Sequence, residues 1–234
     1  MASGGIAMLI DISRCTGCKG CQAACMQWNG QRGEVGRCTG TLQNPADLSA
    51  TMWTVLRYSE RLVGGRMRLL PMKDGCKHCE KPACQEACQR GAIVQHDSGL
   101  VEYRDDRCVG CGYCVDACSF AVPRMSPGPE KKARKCNFCK DRLDAGQLPA
   151  CVKTCPTRAL SFGTKEQMLA KAEARMAELR QRGFPEPALY DPESVNGTHV
   201  MYVLPLGWPE QYGLPNHPVP RPYARKLRQD LRGE

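Results

Sequence analysis

The chain has 234 residues, a formal net charge of +9 and 17 cysteines, while aromatic residues make up only 6% of it. So few large apolar side chains leave part of the interior of one large or two small domains to be filled by something other than hydrocarbon, and the absence of a signal segment at the N-terminus disfavours a secreted disulfide scaffold. No apolar run approaches the roughly 18 residues of a membrane span, and no basic patch is interleaved with aromatic residues as in single-strand nucleic-acid binders.

In chain order, Met8 to Ile12 is a short apolar segment predicted as a strand. It runs into Cys15-x2-Cys18-x2-Cys21-x3-Cys25, and Gln22 to Trp28 suits a short helix ended by Gly30 and Gly33. Residues 29–75 form a long interruption with Cys38 in a Gly-rich loop, a turn at Asn44-Pro45-Ala46-Asp47-Leu48-Ser49 and a predicted strand from Trp53 to Tyr58. A loop of that length is expected to pack over what the cysteines hold, or against another subunit. Cys38 has no partner at ligand spacing and reads as a plain thiol.

The second group is Cys76-x2-Cys79-x4-Cys84-x3-Cys88 and the third is Cys108-x2-Cys111-x2-Cys114-x3-Cys118. Between them Ala92–Val94 and Leu100–Tyr103 flank Asp97-Ser98-Gly99, which predicts two strands around a turn. The fourth group, Cys136-x2-Cys139-x11-Cys151-x3-Cys155-Pro156, is followed by Ala159-Leu160-Ser161-Phe162 much as Cys88 is followed by Ala92-Ile93-Val94. Thr164 to Arg182 reads as a helix: Thr164 and Gln167 form a capping-box pattern, Met168, Leu169, Ala172, Met176 and Leu179 form one apolar stripe, and Gly183 stops it. Thr198 to Leu204 is a predicted strand, and from Pro205 the chain is Pro-rich and expected to be extended, ending in Arg221, Arg225, Lys226, Arg228 and Arg232.

Cysteine groups at this rhythm point to [4Fe–4S] clusters, since iron takes soft thiolate ligands and the ferredoxin run C-x2-C-x2-C-x3-C gives three thiolates to one cluster and its fourth to another. Paired C-x2-C steps also suit a four-thiolate zinc site, which stands as the alternative. Under the ferredoxin exchange, Cys15, Cys18, Cys21 and Cys155 hold cluster 1, and Cys25, Cys136, Cys139 and Cys151 hold cluster 2. Cys76, Cys79, Cys84 and Cys118 hold cluster 3, and Cys88, Cys108, Cys111 and Cys114 hold cluster 4. Four such clusters, each about −2 with its thiolates, would bring the basic chain close to neutrality. The proline that commonly follows a fourth cysteine is kept only at Pro156, so wetter edges or an added hydrogen bond are expected at Cys88 and Cys118. His78 could hydrogen-bond a cluster sulfur, but none of the four histidines is expected to be a ligand. The expected fold is α+β, two interlocked ferredoxin-like units with one inserted in the other. The outer unit takes residues 1–75 and 119–204, the inner one 76–118, and the tail 205–234.

The chain resembles the iron–sulfur (β) subunits of formate dehydrogenases of the nitrate-inducible, membrane-associated type. The resemblance is carried by Cys38 in its loop, Asn44-Pro45-Ala46-Asp47-Leu48-Ser49, Asp74-Gly75-Cys76-Lys77-His78-Cys79, Pro149 to Thr157, Phe162-Gly163-Thr164-Lys165 and Gly197 to Leu204. It implies a non-catalytic electron-transfer subunit with four [4Fe–4S] clusters, taking electrons from a molybdenum or tungsten bis-pterin catalytic α subunit and passing them to an acceptor such as a cytochrome. Equivalent subunits of nitrate, sulfoxide, polysulfide or tetrathionate reductases are the alternative. Related membrane-anchored chains continue into a transmembrane helix whereas this one stops at Glu234, which makes a soluble cytochrome c or another redox protein a plausible acceptor. The resemblance also implies a periplasmic location by co-export with the catalytic subunit, with a cytoplasmic one as the alternative.

Overall fold

The computed structural model describes residues 5–33, 36–37, 40–63 and 65–219, so Cys38 and the five basic residues of the tail lie outside it. Its elements are β1 (Ile6–Asp11), α1 (Gly20–Trp28), β2 (Thr54–Val63), β3 (Arg66–Gly75), α2 (Ala83–Glu86), β4 (Ile93–Gln95), β5 (Val101–Tyr103) and α3 (Tyr113–Ala117). There follow β6 (Arg124–Met125), β7 (Ala133–Arg134), α4 (Lys140–Asp144), α5 (Ala150–Lys153), β8 (Leu160–Thr164), α6 (Lys165–Gln181), β9 (Ala188–Tyr190) and β10 (Val200–Leu204). The fold is mixed α/β.

Its centre is β1, whose sequence is apolar almost without a break because both faces of its sheet are covered. The sheet order is β8–β1–β10–β9, with β1 parallel to β10 (Met8 opposite Val200) and antiparallel to β8 (Met8 opposite Phe162). Side chains alternate between faces along a strand. Ala7, Leu9, Met201 and Val203 meet Met168, Ala172 and Leu179 of α6. Met8, Ile10, Val200, Tyr202 and Leu204 turn the other way, toward Phe138, Cys151 and Val152 in the cysteine loops.

Helix α6 starts where the sequence marks it. The Thr164 hydroxyl accepts from the Gln167 amide (3.2 Å), and the Gln167 side chain accepts from the Thr164 amide (3.0 Å). Arg175 is an unforeseen member of its buried face. It points into the sheet, where Nε lies 2.8 Å from the Asp11 carboxylate and Nη2 donates to the Ser13 hydroxyl (2.8 Å).

Hairpin β4–β5 forms as expected, with Ile93 opposite Tyr103. At its turn Gly99 has φ +84°, and a Cβ there would fall 1.9 Å from the His199 ring, so both backbone and space require glycine. The ring nitrogens of His199 bridge the Ile6 carbonyl and the Glu80 carboxylate, each at 2.6 Å, which ties the start of β1 to the second cysteine loop, and the Ile6 N–H donates to the Ser98 carbonyl (2.8 Å), which fastens the hairpin turn to β1.

Two stretches differ from expectation. The predicted strand at 53–58 is one arm of a longer hairpin in which β2 and β3 pair over ten residues each. Arg66–Gly75 does not read as a strand because its first half is exposed, its second half is buried, and Pro71 interrupts it, a residue tolerated only because β3 has β2 as its sole neighbour. From Pro205 the described residues are not extended either. Pro209–Tyr212 forms a 3-10 turn, Tyr212 and Leu214 are buried, and the Tyr190 hydroxyl donates to the Pro215 carbonyl (2.7 Å). No helix among the described residues is long and apolar enough to cross a membrane.

Replacing Thr164 with alanine removes one half of the capping box and is expected to cost about 1 kcal/mol, read as a lower denaturant midpoint with the slope of the transition unchanged.

Candidate metal centres

Each cysteine group is a tight loop running into a short helix. In the first C-x2-C step of each group the residue before the second cysteine adopts the left-handed conformation: Gly17 (φ +71°), His78 (φ +47°), Gly110 (φ +76°) and Phe138 (φ +55°). That turn swings the amide of the same residue toward the first sulfur of the step, as where the Phe138 N–H donates to Cys136 Sγ (3.4 Å). The Gly17 amide does the same for Cys15 and the Gly110 amide for Cys108. Glycine adopts this conformation without cost, whereas a larger residue pays about 1 kcal/mol or more. His78 and Phe138 offset that by stacking on each other, ring centroids 3.9 Å apart and nearly parallel at 11°. The stack joins the loop of Cys76–Cys79 to that of Cys136–Cys139. The Val101 N–H donates to Nδ1 of His78 (3.0 Å), which assigns the proton to Nε2, and burial holds the ring well below the usual imidazole range.

All sixteen cysteines proposed as ligands are free thiols, and the fold draws together ones far apart in sequence. Cys15, Cys18, Cys21 and Cys155 line one cavity with Ile10, Leu56 and Lys73. Cys25, Cys136, Cys139 and Cys151 line a second with Met8, Trp53 and Phe138. In the middle of the chain the thiols of Cys118, Cys76 and Cys79 lie within electrostatic reach of that of Cys84, as does the Lys135 ammonium. Those of Cys111, Cys88 and Cys108 lie within electrostatic reach of that of Cys114. The long segment before Cys76 closes the first two cavities through Leu56, Lys73, Trp53 and Thr54. It is tied to the first cysteine loop by the Tyr58 hydroxyl, which donates to the Gly17 carbonyl (2.7 Å). Its turn is fixed by Asp47, which pairs with Arg57 and with Arg124, each at 2.7 Å.

The electrostatics of these rings suit a polynuclear cation. Burial first, then the neighbouring thiolates, push Cys21 and Cys114 up to about 12. Burial pushes Cys139 up to about 11. A thiol so raised gives up its proton only to a positive centre in contact with it, which iron would supply. Among the described residues no three or more His, Cys, Asp or Glu side chains converge at single-ion distance. The sulfurs of the first two rings line cavities, which suits a cube of iron and sulfide better than a zinc ion with four bonds of about 2.3 Å. Hydrogen bonds to sulfur come from the Ala92 N–H to Cys88 (3.3 Å) and from Asn29 Nδ2 to Cys25 (3.7 Å). The first comes from Ala92, four residues on, and not from the Gln89 N–H that a proline would remove.

Three lysines, Lys73, Lys77 and Lys135, are buried beside the rings, and sequence reasoning passed over all of them because a lysine in a strand or loop reads as solvated. Lys77 donates to Asp74 (2.6 Å) and to the Tyr202 hydroxyl (2.7 Å), and with Arg57 it holds the Asp74 carboxyl well below the usual range against the opposing effect of burial. Lys135 donates to the carbonyls of Val101 and Cys136.

Loops of this geometry, carrying grouped thiols and docked on small β-hairpins, define an iron–sulfur protein of the ferredoxin-like class. In keeping with that, residues 67–165 match the model of the 4Fe-4S dicluster domain. The nitrate-inducible formate dehydrogenase iron–sulfur subunit of Escherichia coli K12 is 52% identical over 216 residues, spanning 91% of this chain and 73% of the relative. The formate dehydrogenase iron–sulfur subunit of Haemophilus influenzae is 50% identical over 217 residues, 91% of this chain and 69% of the relative. Formate dehydrogenase 2 subunit beta (cytochrome c-553) of Nitratidesulfovibrio vulgaris is 36% identical over 212 residues, 85% of this chain and 92% of the relative. The chain belongs to the family of formate dehydrogenase iron–sulfur subunits.

Truncating Phe138 to alanine keeps the left-handed backbone but removes the ring that supports it and that packs on His78. A loss of about 3 kcal/mol or more is expected, measured by anaerobic denaturant unfolding of the purified protein.

Proposed function

We infer that this chain is the electron-transfer subunit of a formate dehydrogenase complex, holding four [4Fe–4S] clusters and carrying out no bond chemistry itself. The observation that carries this reading is the gathering of sequence-distant thiols into rings of four, within a chain whose relatives are formate dehydrogenase iron–sulfur subunits. Cys15, Cys18, Cys21 and Cys155 would hold cluster 1, and Cys25, Cys136, Cys139 and Cys151 cluster 2. Cys76, Cys79, Cys84 and Cys118 would hold cluster 3, and Cys88, Cys108, Cys111 and Cys114 cluster 4. Two ferredoxin-like units, one set inside the other, would result. This is supported by the way β4 pairs with β5 ahead of the third cysteine group as β8 pairs with β1 ahead of the first.

When bound, the clusters supply reversible one-electron transfer; the chain holds them at fixed spacing, excludes water and sets the charge around each. The rings adjoin in a row. Cys21 of the first lies within electrostatic reach of Cys151 of the second, and Cys136 of the second within reach of Cys76 of the third. Cys84 of the third shares an apolar cluster with Cys114 of the fourth. Cys18 and Cys111, the two exposed thiols among the described residues, belong to the two terminal rings, as electron entry and exit require.

The donor in this reading is a molybdenum or tungsten bis-pterin catalytic subunit, and the acceptor is a cytochrome. The Nitratidesulfovibrio relative carries cytochrome c-553 in its name, which favours the latter. A periplasmic site, reached together with the catalytic subunit, accords with such an acceptor. The three relatives named above are all formate dehydrogenase subunits, which favours formate over nitrate, sulfoxide, polysulfide or tetrathionate as the substrate of the complex.

Anaerobically purified protein is expected to carry about sixteen irons per chain and to bleach on reduction; a colourless zinc protein would overturn the reading. Cys155→Ser is expected to remove one cluster's iron and perturb the site of Cys15, Cys18 and Cys21 while the site of Cys136, Cys139 and Cys151 keeps its spectrum. Loss of the latter signal instead would show that the fourth cysteine is not exchanged.

A further inference from the structure

One charged side chain lies between the first two rings. Lys73 stands on β3 opposite Leu56, is 4% exposed, and lines the cavity of Cys15, Cys18, Cys21 and Cys155. Its ammonium stands close to the Thr54 hydroxyl, which lines the other cavity: a Cβ on Gly75 would fall 3.6 Å from the one and 3.7 Å from the other, and the sulfurs of Cys151 and Cys136 on that side attract the charge. The other two buried lysines have oxygen partners of their own, Lys77 in Asp74 and Tyr202, Lys135 in two backbone carbonyls. The carboxylate nearest in sequence, Asp74, is committed to Lys77 and to Arg57, each at 2.6 Å. The counter-charge of Lys73 is thus the sulfur of two rings at once.

A cluster becomes more negative by one charge when it is reduced. A fixed cation beside it, in a buried region where neither water nor salt screens the interaction, stabilises the reduced state and raises the midpoint potential. We propose that Lys73 is a shared electrostatic set-point for clusters 1 and 2, the pair held by the outer unit, holding both of their potentials up together and leaving clusters 3 and 4 to other charges. The inference rests on the four-cluster reading above. It adds a role for a residue that touches no iron, and it makes the outer pair respond as a unit to one side chain.

The test is a redox titration of the intact complex, followed by electron paramagnetic resonance, with Lys73→Met and Lys73→Arg beside the unaltered chain and with iron counted in each. In Lys73→Met two of the four midpoint potentials are expected to fall. At a fixed potential the reduced-to-oxidised ratio of each should drop by on the order of tenfold, or about 59 mV for a one-electron couple. The other two should stay in place, and Lys73→Arg, which keeps the charge, should restore both. Loss of iron from clusters 1 and 2 in Lys73→Met but not in Lys73→Arg would support the same role, since only the variant that keeps a cation there would keep both clusters. Unchanged potentials in a fully loaded Lys73→Met, an equal shift of all four, or the same defect in Lys73→Arg would overturn the proposal. A count well below sixteen irons in the unaltered chain would instead overturn the cluster reading on which it rests.

Discussion

Putting sulfur anions inside a protein is the constraint to which the rest of this molecule answers. A thiolate removed from water loses its hydration, and grouped thiolates also repel one another, which is why Cys21, Cys84 and Cys114 are pushed toward the protonated form. Three kinds of compensation surround them. Left-handed loop residues turn backbone amides onto sulfur. Lysines are buried where a core would otherwise hold leucine. The third compensation is the iron itself, whose positive charge would favour the deprotonated ligands. The first two are built into the chain, so the rings are prepared for their occupants by the same contacts that fold the loops.

The ferredoxin rhythm of the cysteines was legible because ligand geometry constrains spacing directly: a tight loop can offer three sulfurs only at a few separations. Helix α6 was legible from Thr164, Gln167 and a stripe of apolar residues, because a cap and a helical period are local signals. What escaped depends on partners distant in sequence. Arg175 sits on the buried face of a helix because Asp11, more than 160 residues earlier, waits there. Strand β3 escaped because its outer half has no buried face to impose alternation. Lys73 escaped because nothing local tells a solvated lysine from one held between two sets of thiols.

The left-handed positions show both cases side by side. Gly17 and Gly110 announce the turn in their C-x2-C steps, whereas His78 and Phe138 occupy the same place and announce nothing. They are tolerated because the two loops approach until the rings stack, so a backbone penalty in each loop is relieved by the other. This contact also carries mechanical continuity between the segments bearing the second and third rings.

The position of β1 at the centre of the sheet has a consequence for how the chain is made. Ile6–Asp11 is synthesised well before its partners, β8 at residues 160–164 and β10 at residues 200–204. Until those residues have been translated, an apolar strand with two open edges has neither of them to pair with, and such segments are prone to associate with other chains. The middle of the sequence faces no such delay, since β4 and β5 lie between the second and third cysteine groups and pair with each other. The nascent protein is thereby built from this middle outward, with β1 left to wait for distant partners and in need of a chaperone meanwhile.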